Sequence, residues 1–299
     1  MRWKHSPQLK TCKHSPLIET NMNPLTIGLI QGNFRNAFYE KISELHRLSD
    51  YRETLGAEDF DCNQERLIAL IRSAVVEGAE MVLTPESYLD GWSFDREILD
   101  RVAVPPDSRY VKQLRHLASE LGVWICAGLF MREDDKIYNS AILIDSSGAI
   151  ALTYRKTHET NGVMEEMPYD LGNELSVAET PWGRVGSLVC HDRWYPECYR
   201  ALRLKGAEMI LNPVAASTFW PGHTYFDIHR CTLQSHAYGN ALFLASCNSA
   251  NHGGHSVIVA PDGTIAASAG QGEEVLITRL DPATYSSYDF TSTRRPMIY

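Results

Sequence analysis

Residues 206–215 read GAEMILNPVA and residues 78–87 read GAEMVLTPES. In each copy a helix with apolar residues at helical spacing stops near a glycine, an apolar run of strand length follows, and a proline closes the run. Two copies this far apart cannot be a solenoid, whose repeats recur every roughly 20–50 residues. The echo is either one helix-to-strand unit used twice or the ordinary punctuation of an α/β chain. In both cases the two stretches are buried strands fed by amphipathic helices.

The same alternation continues outward from 206–215. RVGSLVC (184–190) predicts a strand, PECYRALRLKGAE (196–208) a helix, MILNPVA (209–215) a strand, 229–240 a helix and 241–248 a strand. HSVIVAPDGTIAASA (255–269) predicts a hairpin around Pro-Asp-Gly, with an extended tail ending RRPMIY behind it. Around 78–87 the chain predicts a strand over 24–32, a helix over 62–80, a strand over 81–86, a helix over 111–122 and a strand over 123–130. Residues 136–156 predict two strands joined at Ser-Ser-Gly. No linker interrupts the series, so one α/β domain is expected over 24–299, behind a polar, flexible extension at 1–23 in which Met22 is an alternative start. Residues 33–60, charged and aromatic without a steady period, are expected to form an insertion carrying a short helix.

Composition excludes several classes. The 299 residues carry 28 basic against 37 acidic side chains, a net charge of −9 with the Lys and Arg scattered, which leaves no basic stripe for nucleic acid. The longest apolar runs, such as LGVWICAGLF at 121–130, fall far short of the roughly 20 residues that span a bilayer. The first 21 residues have no apolar core of a secretory signal, so a cytoplasmic enzyme is expected. Seven cysteines, an odd number without a CxxC pair, argue against a disulfide framework.

SLVCHDRWYPECYR (187–200) crowds a cysteine, a histidine and an aspartate together. His191 and Asp192 with His223, His229, His252 and His255 lack the HExxH or paired-cysteine spacing of a metal site, and no metal is expected. Cys190 ends an apolar strand just before a helix opened by Pro196-Glu197, where outward-pointing N–H groups favour a thiolate. A single cysteine is still more often a small buried hydrophobe. Glu86 and Lys156 also follow apolar runs, so all three groups fall at carboxyl ends of predicted strands, the edge at which open α/β sheets bind ligands. A carboxylate, an ammonium and a thiol suffice for acyl transfer. Taken singly, Glu86 reads more readily as a helix cap and Lys156 as a solvated surface charge.

LTPES around Glu86, YRKTH around Lys156 and LVCHDRWYPE around Cys190, in this order, resemble the carbon-nitrogen hydrolase (nitrilase) superfamily. GLIQG, KGAEMILNP, HSVIVAPDG and RRPMIY support the likeness, which runs from about residue 24 to 299. The resemblance implies a nitrilase-like four-layer αββα sandwich, assembled as a homodimer or larger homo-oligomer. It implies Cys190 as nucleophile, Glu86 as general base and then acid, and Lys156 as the cation facing the oxyanion. It also implies a second glutamate between lysine and cysteine: spacing back from Gly172 selects Glu165, with Glu166 beside it in the substrate pocket. No cofactor is implied, and the partner is a small-molecule substrate.

True nitrilases follow the cysteine with Trp-Glu or Gly-Glu, whereas His191-Asp192 is similar to the amidase and N-carbamoyl amino-acid amidohydrolase branch. That likeness implies that Arg193 holds a substrate carboxylate, which a guanidinium fork suits. Read alone, Arg193 pairs as well with Asp192 or Glu197. His158, His191 and Trp194 are expected in the pocket wall, with Trp220 and His223 on a loop over it; Gly239 departs from the glutamate common in the family. The expected activity is hydrolysis of a small linear amide or N-carbamoyl compound bearing a carboxylate, releasing ammonia or amine. The alternatives are nitrile hydrolysis and a non-catalytic binding protein on the same fold.

Overall fold

A computed structural model of the chain describes residues 17–18, 22–34, 57–89, 96–159, 168–215 and 225–298. The first half holds β1 (Leu25–Gln31), α1 (Ala57–Val76), β2 (Met81–Leu83), α2 (Arg96–Val102), α3 (Arg109–Leu121), β3 (Trp124–Glu133), β4 (Lys136–Ile144) and β5 (Ile150–Arg155). The second half holds β6 (Val177–Thr180), β7 (Gly183–Ser187), a 3-10 turn (Cys190–Trp194), α4 (Pro196–Leu204), β8 (Met209–Val214), α5 (Tyr225–Asn240), β9 (Phe243–Asn248), β10 (Val257–Val259), β11 (Ile265–Ser268) and β12 (Glu274–Leu280).

Two six-stranded sheets result, in spatial order β12-β1-β2-β3-β4-β5 and β11-β10-β9-β8-β7-β6. In the first, β1, β2 and β3 run parallel and the flanking pairs are antiparallel. The second repeats this arrangement with β7, β8 and β9 as its parallel core. Side-chain alternation along each strand decides the layering. Leu25, Ile27 and Leu29 of β1, with Met81 and Leu83 of β2, pack toward Met209, Leu211, Phe243 and Ala245 of the other sheet. Ile30 and Val82 point the other way, into a cluster with Leu67 and Ile71 of α1 and Leu114 and Leu117 of α3. The sheets therefore face each other and helices cover the outside, the expected αββα sandwich. Among the described residues no helix is long and apolar enough to cross a membrane.

The opening echo is one structural unit used twice. Gly78 and Gly206 both take positive φ (95° and 90°), a conformation that lets a helix stop without a Cβ penalty. Ala79 and Ala207 then donate back to the Ala74 and Leu202 carbonyls, each at 3.0 Å. Glu80 and Glu208 each donate N–H to the neighbouring parallel strand, at Thr26 and Arg184, both at 2.8 Å. Their carboxylates take the N–H of the same two residues, at 2.8 and 3.2 Å. The glutamate of Gly-Ala-Glu thus starts β2 and β8, the middle strand of each parallel core.

The two units also meet. Beyond β2 the chain turns through Thr84-Pro85-Glu86, and the Glu86 N–H donates to the Val214 carbonyl at the end of β8 (3.3 Å). Gly128 of β3 permits this: a Cβ there would lie 2.6 Å from the Pro85 carbonyl oxygen, 2.8 Å from Glu86 Cα and 2.9 Å from Pro213 Cβ. The Gly128 N–H donates to the Thr84 hydroxyl (3.0 Å), fixing the turn further.

The elements differ from the sequence reading at several points. β12 replaces the expected extended tail and pairs along the whole of β1, from Glu274↔Gln31 to Leu280↔Leu25. Most of it is half-exposed without a buried/exposed alternation, so composition concealed it. α2 and β6 were not expected, being short and of weak period. Met22 is buried in the inter-sheet core, and Leu17–Ile18 pair with Ser287–Tyr288. Of the insertion expected at 33–60, the end belongs to α1, which starts at Ala57, and 35–56 lie outside the described residues.

Replacing Gly128 with alanine should push the Pro85-Glu86 turn off β3. A stability loss of about 1–3 kcal/mol is expected from such overpacking, with a fall in turnover, read by denaturant midpoint and activity; an unchanged midpoint and rate would refute the close-packing account.

Candidate active site

Glu86, Lys156 and Cys190 come together at the carboxyl edges of the two sheets. Glu86 is buried, and its Oε1 accepts from Asn139 Nδ2 of β4 at 2.6 Å. Its Oε2 accepts from the Ala215 N–H just past β8 at 2.8 Å. One carboxylate therefore spans both sheets and is fixed in rotation. Lys156, the residue after β5, stands with Nζ 3.6 Å from Glu86 Oε1, and both side chains are wholly buried. Its backbone is held on both sides: its N–H donates to the Asn139 carbonyl and its carbonyl accepts from Gly172, each at 2.8 Å. Burial alone would lower the lysine pKa, but Tyr169, Glu86, Cys190 and Asp192 outweigh it and raise it above the usual range, so the group stays charged.

Cys190 is the first residue of the 3-10 turn rather than the last of a strand; β7 ends at Ser187. Its φ is +45°, a left-handed conformation that costs a non-glycine residue of order 1 kcal/mol or more. Such strain lifts a side chain out of the strand-to-helix path, as at the sharp turns that carry hydrolase nucleophiles. The half-buried thiol accepts a hydrogen bond from Arg193 Nη1 at 3.3 Å. Burial raises its pKa first, Glu86 adds to the rise, and Arg193 and Lys156 oppose it. The resting group is a thiol.

The turn is held by Asp192, which is 0% exposed. Its Oδ2 accepts from the Val189 N–H (3.0 Å) and from the Tyr154 hydroxyl (2.8 Å). Its Oδ1 accepts from the His158 N–H (3.0 Å) and the Thr157 hydroxyl (3.3 Å), and lies 2.9 Å from His158 Nδ1. Val189 precedes the cysteine; Tyr154, Thr157 and His158 surround Lys156. The carboxylate thus locks the cysteine turn of one sheet to the lysine strand of the other.

The remaining expected residues fall around this frame. Arg193 is buried, its guanidinium over the Trp194 ring with Cζ 4.7 Å from the centroid, while the hydrogen bonds of Asp192 go to other groups. His158 stacks on Tyr195 at 3.8 Å, and His191 meets Tyr195 edge-on at 5.9 Å. Burial, then Lys156 and Arg193, push the His191 pKa down to about 4, so its imidazole is neutral near pH 7. Trp194 meets His229 edge-on at 6.2 Å. Glu165, Glu166, Trp220 and His223 lie outside the described residues.

Sequence reasoning missed Asn139, Tyr169, the Ala215 N–H and the structural part played by Asp192. Asp192 was visible as a neighbour of Cys190, but only the tight turn aims it away from the thiol. Ala215 ends the second copy of the echo, as Ser87 ends the first, so the pairing of the two copies was the available signal.

The chain matches the family model described as carbon-nitrogen hydrolase over residues 49–290. It is 30% identical over 270 residues to an N-carbamoylputrescine amidase of Solanum lycopersicum, covering 81% of this chain and 90% of that protein. It is 28% identical over 263 residues to a citrullinase of Francisella tularensis subsp. tularensis, covering 80% and 89%. The fold is similar to that of Saccharomyces cerevisiae Nit3, a member of branch 10 of the nitrilase superfamily, with a TM-score of 0.71 at 23% identity over 88% of this chain and 92% of that one.

Asp192→Asn keeps the shape but turns a donor toward one set of donors. Turnover should fall by about 10²-fold, the scale of a displacement near 1 Å in a reacting pair, while far-UV circular dichroism stays native; a loss under about twofold would remove Asp192 from the positioning of the site.

Proposed function

The chain belongs to the carbon-nitrogen hydrolase family, and from that footing we propose that it hydrolyses a small linear N-carbamoyl compound or amide through a thioester on Cys190. It is a hydrolase of the amidase type, and the names of its relatives, N-carbamoylputrescine amidase and citrullinase, favour a carbamoyl group as the electrophile. The observation that carries the reading is a strained, half-buried thiol beside Glu86, its pKa raised by burial and then by that carboxylate, with Glu86 itself 3.6 Å from a buried ammonium.

Glu86 takes the thiol proton as sulfur attacks the carbonyl carbon. The new C–S bond sends the carbonyl electrons onto oxygen, where Lys156 and a backbone N–H beside Cys190 stabilise the oxyanion. Collapse breaks the C–N bond, and Glu86 returns the proton to the leaving amine or ammonia. Water, giving a proton to the same Glu86, then attacks the thioester; the acid leaves and sulfur regains the proton. Electrostatics favour this order: the Lys156 charge persists through the cycle, while the thiol stays protonated until a base acts.

Arg193 supports a carboxylate on the substrate. Its Nη1 is 3.3 Å from Sγ, so a carboxylate held by that guanidinium lies only a few bonds from the attacked carbon. N-carbamoyl amino acids with a short spacer meet that demand.

The test is ammonia release from matched pairs of N-carbamoyl compounds that differ in a carboxylate or its neutral amide. A charged hydrogen bond of about 1.5–3 kcal/mol predicts a preference of roughly 10–100-fold in kcat/KM for the acid, and Cys190→Ala should abolish turnover of both. Equal kcat/KM values would remove the carboxylate from the proposal, and turnover by the alanine variant would remove the thioester.

A further inference from the structure

Segment 168–172 returns the chain to the first sheet beside Lys156. The Asp170 N–H donates to the Ile137 carbonyl (2.6 Å), and the Asp170 carboxylate takes the Ile137 N–H (3.0 Å). Two residues on, the Gly172 N–H donates to the Lys156 carbonyl (2.8 Å), and a Cβ at Gly172 would run into the Arg155 carbonyl. Tyr169 therefore stands directly before two anchors that hold its segment against the lysine strand.

Its side chain is 4% exposed. The ring packs on Phe130 with centroids 5.5 Å apart, and Lys156 Nζ lies 5.6 Å from the ring centroid. Among the described residues the buried hydroxyl finds no acceptor for its proton, although buried tyrosine hydroxyls usually find a partner; Lys156 Nζ acts on its oxygen only as a donor. Burial raises the phenol pKa, the Lys156 charge opposes this, and Glu86 and Cys190 add to the rise. The phenol is thus a neutral donor near pH 7. Its neighbours do not use that donor well. Lys156 close by is itself only a donor, and Glu86, which accepts from Asn139 and Ala215, takes no hydrogen bond from the phenol. A buried donor among the groups that act on the electrophile calls for an acceptor supplied by the ligand.

We propose that Tyr169 is a further catalytic residue, whose hydroxyl donates a hydrogen bond to the substrate oxygen that becomes the oxyanion, beside Lys156. This rests on the reading that Lys156 faces that oxygen. No proton leaves the phenol; the hydrogen bond shortens as carbonyl oxygen gains charge and relaxes when the intermediate collapses. A donor whose interaction grows with that charge acts on kcat more than on KM.

Tyr169→Phe is the informative variant, because it keeps the ring on Phe130 and over Lys156 and deletes only the hydroxyl. Loss of one oxyanion donor predicts a fall in kcat of about 10²-fold with KM within a few-fold. Iodoacetamide alkylates a thiol without forming an oxyanion, so its rate of labelling Cys190 should be the same in the variant and the parent. Normal labelling with unimpaired kcat would overturn the role of Tyr169 alone. Equal loss of labelling and turnover would mean that the hydroxyl merely shapes the site and would also overturn it. A parent whose Cys190 resists labelling would overturn the nucleophile reading and this proposal with it.

Discussion

The buried carboxylate of Asp192 is the constraint on which the site depends. A charge without exposure is costly, several kcal/mol even after relaxation, and it survives only if its lone pairs are taken. Here donors from Val189, Tyr154, Thr157 and His158 take them. The donors come from two sheets, so the same bonds that satisfy the charge fix the distance between the cysteine turn and the lysine strand. Glu86 makes a second tie of the same kind, through Asn139 on one sheet and Ala215 on the other. Two anions stitch the carboxyl edges together, and the thiol sits between the stitches.

The resulting field explains why these groups can share a buried site. Among the described residues the buried charged side chains Glu86 and Asp192 are set against Lys156 and Arg193, two of each sign. A thiolate at rest would upset that balance, in keeping with the upward shift of the Cys190 thiol. In the proposed mechanism the negative charge arrives on substrate oxygen while the thiol proton moves to Glu86, a transfer that leaves the summed charge of these groups unchanged.

Much of this was legible in the sequence. The apolar runs and glycine stops located β1–β5, β7–β9 and the main helices, because burial on both faces leaves an unbroken apolar signature, and the Pro-Asp-Gly turn located the β10–β11 hairpin. The three motif groups Glu86, Lys156 and Cys190 are where the sheets end, as expected. What stayed hidden depends on through-space geometry. β12 is half-exposed along most of its length and is a strand because β1 offers it a full register. The positive φ of Cys190 leaves no mark on composition, and it moves the cysteine from strand end to turn start. Asp192 and Arg193 are adjacent in sequence yet part company, the first toward the lysine strand and the second toward the thiol. Tyr169 reads as an ordinary aromatic until the chain returns it beside Lys156.

The central claim is that Cys190 carries the acyl group. The direct measurement is the intact mass of enzyme quenched during turnover of a small N-carbamoyl compound, followed by peptide mapping of the adduct. The account predicts a carbamoyl or acyl mass on the peptide containing Cys190, appearing before steady state and absent in Cys190→Ala. Full turnover with no adduct under rapid quench, or an adduct mapped to another residue, would contradict it.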